Sequence, residues 1–229
     1  MGITQQIGAS SLIKPGVIDN TAARPASPFE GQVIFQKDTD QLLVWNGTAW
    51  VIPNSPAQNP MGLELVIDAS FTAQTSVPVT GCFTSTYKNY RVIIHIESAS
   101  TQTTRNITFR FKDSGGDDST ANYYYGSNLD DFGAATPQRQ GAYAATSSIL
   151  APYYGYGDST STTSIDVYNP QVSTSKSAYI GTAIGGNAGS ACLGSVALGY
   201  MTAKSHTGFT FFSSTGTITG NYYVYGYRD

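Results

Sequence analysis

The sequence predicts an all-β protein: an N-terminal extended arm and three-strand meander, then an antiparallel β-sandwich of jelly-roll-like type. Three observations carry this. Apolar residues recur with a period of two in many short runs, Gly, Asn, Ser and Thr clusters separate most of them, and no stretch has the 3.6-residue period of an amphipathic helix. A parallel sheet would need helical crossovers, so a sandwich is favoured.

Residues 1–30 are polar, contain Pro15, Pro25 and Pro28, and lack a sustained apolar period; they read as an extended attachment arm. Residues 31–52 read as the meander. Gln32 to Gln36 and Gln41 to Trp45 are apolar-rich runs joined by the turn formers Lys37, Asp38, Thr39 and Asp40. Asn46-Gly47 then predicts a tight two-residue loop, delivering Thr48 to Ile52 as the third strand and bringing Trp45 near Trp50. A meander this small buries too little apolar surface to offset its ordering entropy. Cover is expected from neighbouring copies or from the chain's own main body. Residues 53–61, with Pro53, Pro56 and Pro60, form a semi-rigid linker.

Residues 62–229 are long enough for one β-domain with its own core. Leu63, Leu65 and Ile67 alternate with other residues, as do Val92, Ile94 and Ile96, and Ile107, Phe109 and Phe111. Further strands are predicted at Ser164 to Tyr168, Ala178 to Ile184, Ala191 to Met201, Gly208 to Phe212 and Tyr222 to Tyr227.

Charged residues make up 12% of the chain, against a usual figure near 25%, beside 24 Gly and 16 Tyr. A net charge of -3 and a pI near 5.2 supply no basic stripe for phosphates, which excludes nucleic acid as an expected partner. No apolar run has spanning length and the N-terminus carries no signal-peptide pattern, so assembly in a cytoplasm without membrane insertion is expected. Cys82 and Cys192 fit no metal spacing and are expected as buried thiols.

Asp117 and Asp118 follow Gly115-Gly116, with Asp113, Asp130 and Asp131 nearby, but calcium-loop spacing and its closing Glu are absent. The aspartates therefore read as solvated turn formers. His95 shares a strand face with Arg91 and Glu97, and is expected to pair with Glu97 or face a subunit interface; His206 lies between Ser205 and Thr207 in a polar turn. No nucleophile elbow accompanies them, so no catalytic residue, metal or cofactor is expected. The tyrosine clusters are the stronger candidates. Tyr123, Tyr124 and Tyr125, and Tyr153, Tyr154 and Tyr156, read as loop tyrosines able to stack on sugars; the tyrosines of 222–227 alternate along a strand and read mainly as packing.

Gly31, Phe35, Asp38, Thr39, Leu42, Trp45, Asn46, Gly47, Thr48 and Trp50 together resemble a short module near the N-termini of tailed-bacteriophage fibre and other appendage proteins. The ending Ile218 to Arg228 resembles the last strand of small phage β-sandwich head domains, and Asp166-Val167-Tyr168-Asn169-Pro170 with Lys176 is similar to an interior strand and turn of those domains. The resemblance implies a homotrimeric virion appendage, held to other virion proteins of tail, neck or capsid through residues 1–52. Phe35, Trp45 and Trp50 would serve attachment and oligomerisation, with the C-terminal domain presented outward. The chain lacks the shaft repeat of long tail fibres. Three functions follow in order of expectation: a short fibre that binds the host surface, including its glycans; a head-fibre, neck or collar decoration protein; and a polysaccharide depolymerase.

Overall fold

The computed structural model describes residues 15–53, 62–100, 105–131, 137–154, 161–187 and 190–228. The chain divides into two compact units, Met1–Pro60 and Met61–Asp229.

The first unit is a four-stranded sheet in the order β1 (Gly16–Ile18), β2 (Val33–Gln36), β3 (Gln41–Trp45), β4 (Trp50–Val51). The last three strands are the meander. The arm, however, contributes a strand of its own: β1 pairs parallel to β2, with Val17 opposite Phe35. Three residues are too few to show a period, so that strand was illegible in the sequence. A single 3-10 turn, Thr21–Ala23, follows, with the Asn20 side chain accepting from the Ala22 amide at 3.0 Å. The Asn46-Gly47 loop is also longer than expected. Asn46 Oδ1 accepts from the amides of Thr48 and Ala49 at 3.0 and 2.8 Å, so the strand resumes only at Trp50.

The second unit contains β5 (Gly62–Gln74), β6 (Ser76–Val79), β7 (Asn89–Ala99), β8 (Arg105–Asp113), β9 (Gly116–Asp117), β10 (Tyr123–Asp131), β11 (Gln138–Ala145), β12 (Ser148–Tyr154), β13 (Ser161–Tyr168), β14 (Lys176–Asn187), β15 (Ser190–Ala203), β16 (Gly208–Ser213) and β17 (Ile218–Arg228). An eight-stranded sheet, β11-β10-β15-β14-β13-β7-β17-β5, faces a five-stranded one, β12-β8-β16-β6 with β9 on β8. The pairing is nested: β5 with β17, β6 with β16, β7 with β13, β8 with β12, all antiparallel. That is one antiparallel ribbon rolled across two sheets, the topology of a jelly roll. Two insertions, one holding β10 and β11 and the other β14 and β15, extend the larger sheet beyond β13.

Inward residues of both sheets meet in one aromatic core. Phe109 and Phe111 on β8 stand opposite Phe211 and Phe209 on β16, with Phe109 stacked on Phe209 at 5.4 Å and edge-on to Phe111 at 4.9 Å. The most deeply buried tyrosines of this core satisfy their hydroxyls: Tyr90 donates to the Thr84 carbonyl at 2.8 Å, Tyr123 to the Asp118 carbonyl at 2.7 Å and Tyr179 to Ser148 Oγ at 2.9 Å. Both cysteines are buried thiols, and burial pushes the Cys82 thiol up to about 12.

The ending Tyr225-Gly226-Tyr227-Arg228 has a packing reason. A Cβ at Gly226 would lie 2.3 Å from the Tyr87 ring, so glycine lets that ring rest against the backbone of β17. The guanidinium of Arg228 covers the same ring, 5.8 Å from its centroid, and bonds the Glu64 carboxylate.

Candidate functional site

Pairing divides the small sheet into two unlike faces. Ile34 and Leu43 are 2% and 3% exposed, and Gln36 is fully buried by hydrogen bonds from Arg24 and to Thr21 and Asp38. Trp45 and Trp50 lie on this face, edge to face at 5.7 Å. The other face carries Val17, Phe35 and Leu42 in one row and Val33, Val44 and Val51 in the next. Every side chain on it is apolar, yet Val17 is 60% and Leu42 43% exposed, and the other four are half-buried. Of the residues expected to serve assembly, Phe35 therefore points to the uncovered side and the two tryptophans to the covered one. Period two along β3 forces this, since Leu42 and Trp45 are three residues apart.

The structure revises the tyrosine candidates. Tyr123 to Tyr125 open β10 and are strand residues, not loop residues. Tyr123 is fully buried, its hydroxyl also accepting from the Phe111 amide at 3.0 Å, which removes it from any recognition surface. Tyr125 packs against the core, and burial raises its pKa; Tyr124 alone is exposed, at 41%, beside Tyr143. Tyr153 and Tyr154 close β12, a strand again, and Tyr156 lies outside the described residues. Antiparallel pairing puts the start of β10 at the end of the sandwich where Gly62 meets Arg228, and the close of β12 at the opposite end. The two clusters do not form one site.

The C-terminal strand instead supplies an aromatic surface. Tyr222 and Val224 point into the core, whereas Tyr223, Tyr225 and Tyr227 lie on the outer face of the larger sheet. The rings of Tyr223 and Tyr225 stack at 6.4 Å with 26° between their planes. Tyr223 lies between Asp68 and Ile93 in the ladder, Tyr225 between Leu65 and Arg91, and Asn221 between Ser70 and His95. Several of these neighbours are fixed: Arg91 makes a two-point pair with Asp166 at 2.8 and 2.9 Å, Tyr227 donates to Asp166 at 2.6 Å, and Asn221 donates to Glu97 at 3.2 Å. His95 Nδ1 meets Thr162 Oγ1 at 2.8 Å, so its bonded partner is Thr162 and not Glu97. Sequence reasoning assigned these tyrosines to packing; alternation along the strand was the signal that half of them face out.

The aspartate cluster is structural and, at Asp118, buried. Its carboxylate accepts from Tyr200 OH at 2.5 Å, Lys204 Nζ at 2.7 Å, and Thr120 through Oγ1 at 2.6 Å and the amide at 3.0 Å. Lys204 also pairs with Asp113 at 2.5 Å. Burial pushes the Asp118 carboxyl up, but the bonds from Lys204, Thr120 and Tyr200 outweigh it and hold it well below the usual carboxylate range. Asp117 is tied to Lys112 and Thr210 at 2.8 and 2.6 Å. The expectation of a solvated turn former fails at Asp118 because Lys204, far along the chain, supplies the countercharge, whereas Asp130 is exposed. Among the described residues no group of three or more His, Cys, Asp or Glu side chains could hold a metal ion.

His206 also departs from the polar turn expected of it. It is fully buried, stacked on Phe111 at 4.3 Å and edge-on to Tyr200 at 4.8 Å, with Nδ1 3.1 Å from Ser177 Oγ and Nε2 without a partner among the described residues. Burial lowers its pKa to about 4, with Asp118, Asp113 and Lys204 as the nearby charges. Because the unfolded chain takes up this proton near pH 6.5, stability is fully present above that value and is lost as pH falls towards about 4. Thermal melts from pH 7 to pH 5 are expected to fall in the wild type, by on the order of 2 kcal/mol, and to stay nearly flat in His206→Phe.

The nested pairing and shared core define a jelly-roll β-sandwich, joined in sequence to a separate four-stranded sheet. Comparison of the chain with protein-family models, curated proteins and solved structures finds no match.

Proposed function

We propose that this chain is a non-enzymatic structural protein of a tailed-bacteriophage virion, assembled as a homotrimer through its N-terminal unit and presenting the jelly roll to the host surface. One observation carries the reading: a four-stranded sheet with six apolar side chains on one face, none of them fully buried and two, Val17 and Leu42, exposed. Such a face is costly for a monomer and is suited to burial against other copies. The resemblance around Gly31 to Trp50 supports the virion assignment, and the weakly charged sandwich suits an outward display domain. Attachment through several copies would compensate for a weak single site.

A second reading is favoured by Ile180, Ile184 and Leu193, which are 54%, 49% and 43% exposed on the inserted strands. Ile184 and Leu193 face each other across the ladder, and such an aliphatic patch suits a flat contact with another virion protein, as in a capsid or neck decoration protein.

Light scattering of the full chain at micromolar concentration is expected to give a trimer mass. Leu42→Asp should weaken assembly on the order of a hundredfold while leaving the melting of the sandwich unchanged. A monomeric wild type would overturn the assembly reading. Saturable binding to host cells that competes with virion adsorption supports attachment, and its absence from a correctly assembled protein favours decoration.

A further inference from the structure

Tyr223 and Tyr225 form the one stacked, outward-facing tyrosine pair among the described residues that combines ring overlap with fixed polar neighbours. Neither hydroxyl has a hydrogen-bond partner among the described residues, unlike the buried hydroxyls of Tyr90, Tyr123, Tyr179 and Tyr200. The rings are therefore held from below by the sheet while their polar tips stay available. We propose that this part of the outer sheet face is a binding site for uncharged, hydroxyl-rich glycan, with Tyr223 and Tyr225 as its stacking platform. The proposal deepens the reading of the sandwich as the host-contacting unit and rests on it.

The chemistry of the surroundings selects the ligand. A pyranose ring has an apolar C–H face and a rim of hydroxyls that both donate and accept. Tyr223 and Tyr225 offer a flat apolar strip for the first, and Asp68, Asn221 and His95 line its polar end. Asn221 and His95 are already held by Glu97 and Thr162, so little side-chain entropy remains to be lost when a ligand binds. Acidic sugars are disfavoured. The guanidinium of Arg91 is committed to Asp166, and Asp68 and Glu97 add negative charge to the same face. A protein partner is also disfavoured at this location, because the cores of protein interfaces are depleted in Asp and Glu, whereas three carboxylates, Asp68, Glu97 and Asp166, lie around the strip. The aliphatic patch of Ile180, Ile184 and Leu193, farther along the sheet, has the opposite character.

The test uses the full chain on an array of neutral and acidic polysaccharides from the host surface, with cell binding measured in parallel. Wild-type protein is expected to bind neutral glycans saturably. Tyr223→Ala with Tyr225→Ala is expected to weaken this at least tenfold with an unchanged melting temperature, while Tyr124→Ala has no effect. Should the alanine pair fail to fold, Tyr223→Phe with Tyr225→Phe keeps the stack and is expected to lose several-fold through the hydroxyls alone. Undiminished glycan binding by both tyrosine pairs, preference for acidic glycans, or loss only in Tyr124→Ala overturns the proposal. Binding to cells without binding to any neutral glycan, abolished by protease and not by periodate, also overturns it while leaving the attachment reading intact. Absence of both kinds of binding overturns the two together.

Discussion

Phe111→Ala is expected to remove about 3–5 kcal/mol of folding stability and to lower the melting temperature by on the order of 10 °C. Phe111 is fully buried where the elements of the sandwich converge: edge-on to Phe109 at 4.9 Å and Tyr200 at 5.8 Å, and stacked on Tyr123 at 6.4 Å and His206 at 4.3 Å. Its neighbours come from β8, from β10 and β15 of the inserted strands, and from the loop before β16. The cavity left by truncation would be walled on several sides by the rings of Tyr123, Tyr200 and His206, whose tilts are fixed by their own hydrogen bonds, so collapse around it is limited. Phe212→Ala is the contrasting case. That ring is half-exposed with Arg110 at 5.1 Å, and its loss is expected to cost about 1 kcal/mol. Urea unfolding of both variants checks the difference, and equal losses would contradict the placement of Phe111 at the centre of the core.

How much of this was legible in the sequence varies by element. Strands β7, β8 and β13 alternate because each buries one face on the aromatic core, while β16 is buried on both faces from Gly208 to Phe211, and the sequence reading located all four. Strands β10 and β11, with the sequences YYYGSNLDD and QRQGAYAA, have little apolar contrast, since their outer faces are polar or small and tyrosine occupies both sides. Strand β6 was missed because Pro78 reads as a breaker. It is tolerated there because β6 is an edge strand, pairing with β16 alone. The apolar face of the small sheet was half legible: the meander was, but which of Phe35, Trp45 and Trp50 share a face follows only from register. Gly226 is the reverse case, a motif visible in the sequence whose cause, the ring of Tyr87, is visible only in the fold.

Asp118→Asn is the second large effect expected, on the order of 2–4 kcal/mol, although the substitution changes the side chain by one atom type. The retained amide oxygen can still accept from Thr120. The new amide NH2 must occupy the place of Oδ2, where it meets the ammonium of Lys204 and the hydroxyl of Tyr200. A donor would then face a donor at a position whose side chain is 1% exposed. Lys204 is itself 35% exposed and keeps Asp113, so solvent and the second carboxylate absorb part of the loss, and the lower half of the range is favoured. The pH dependence separates the network from simple packing. Because the folded-state pKa of Asp118 is depressed, its stabilisation is complete above the unfolded carboxylate value of about 4 and is lost as pH falls below it. The Asn variant is expected to lack that acid limb while retaining the limb from His206 at higher pH. A double-mutant cycle with Lys204→Met measures the coupling directly, on the order of 1–2 kcal/mol. A solvated turn aspartate would give less than about 0.5 kcal/mol and no change in the acid limb. The same melts therefore decide whether this carboxylate ties the β9 loop to the segment before β16 or merely faces water.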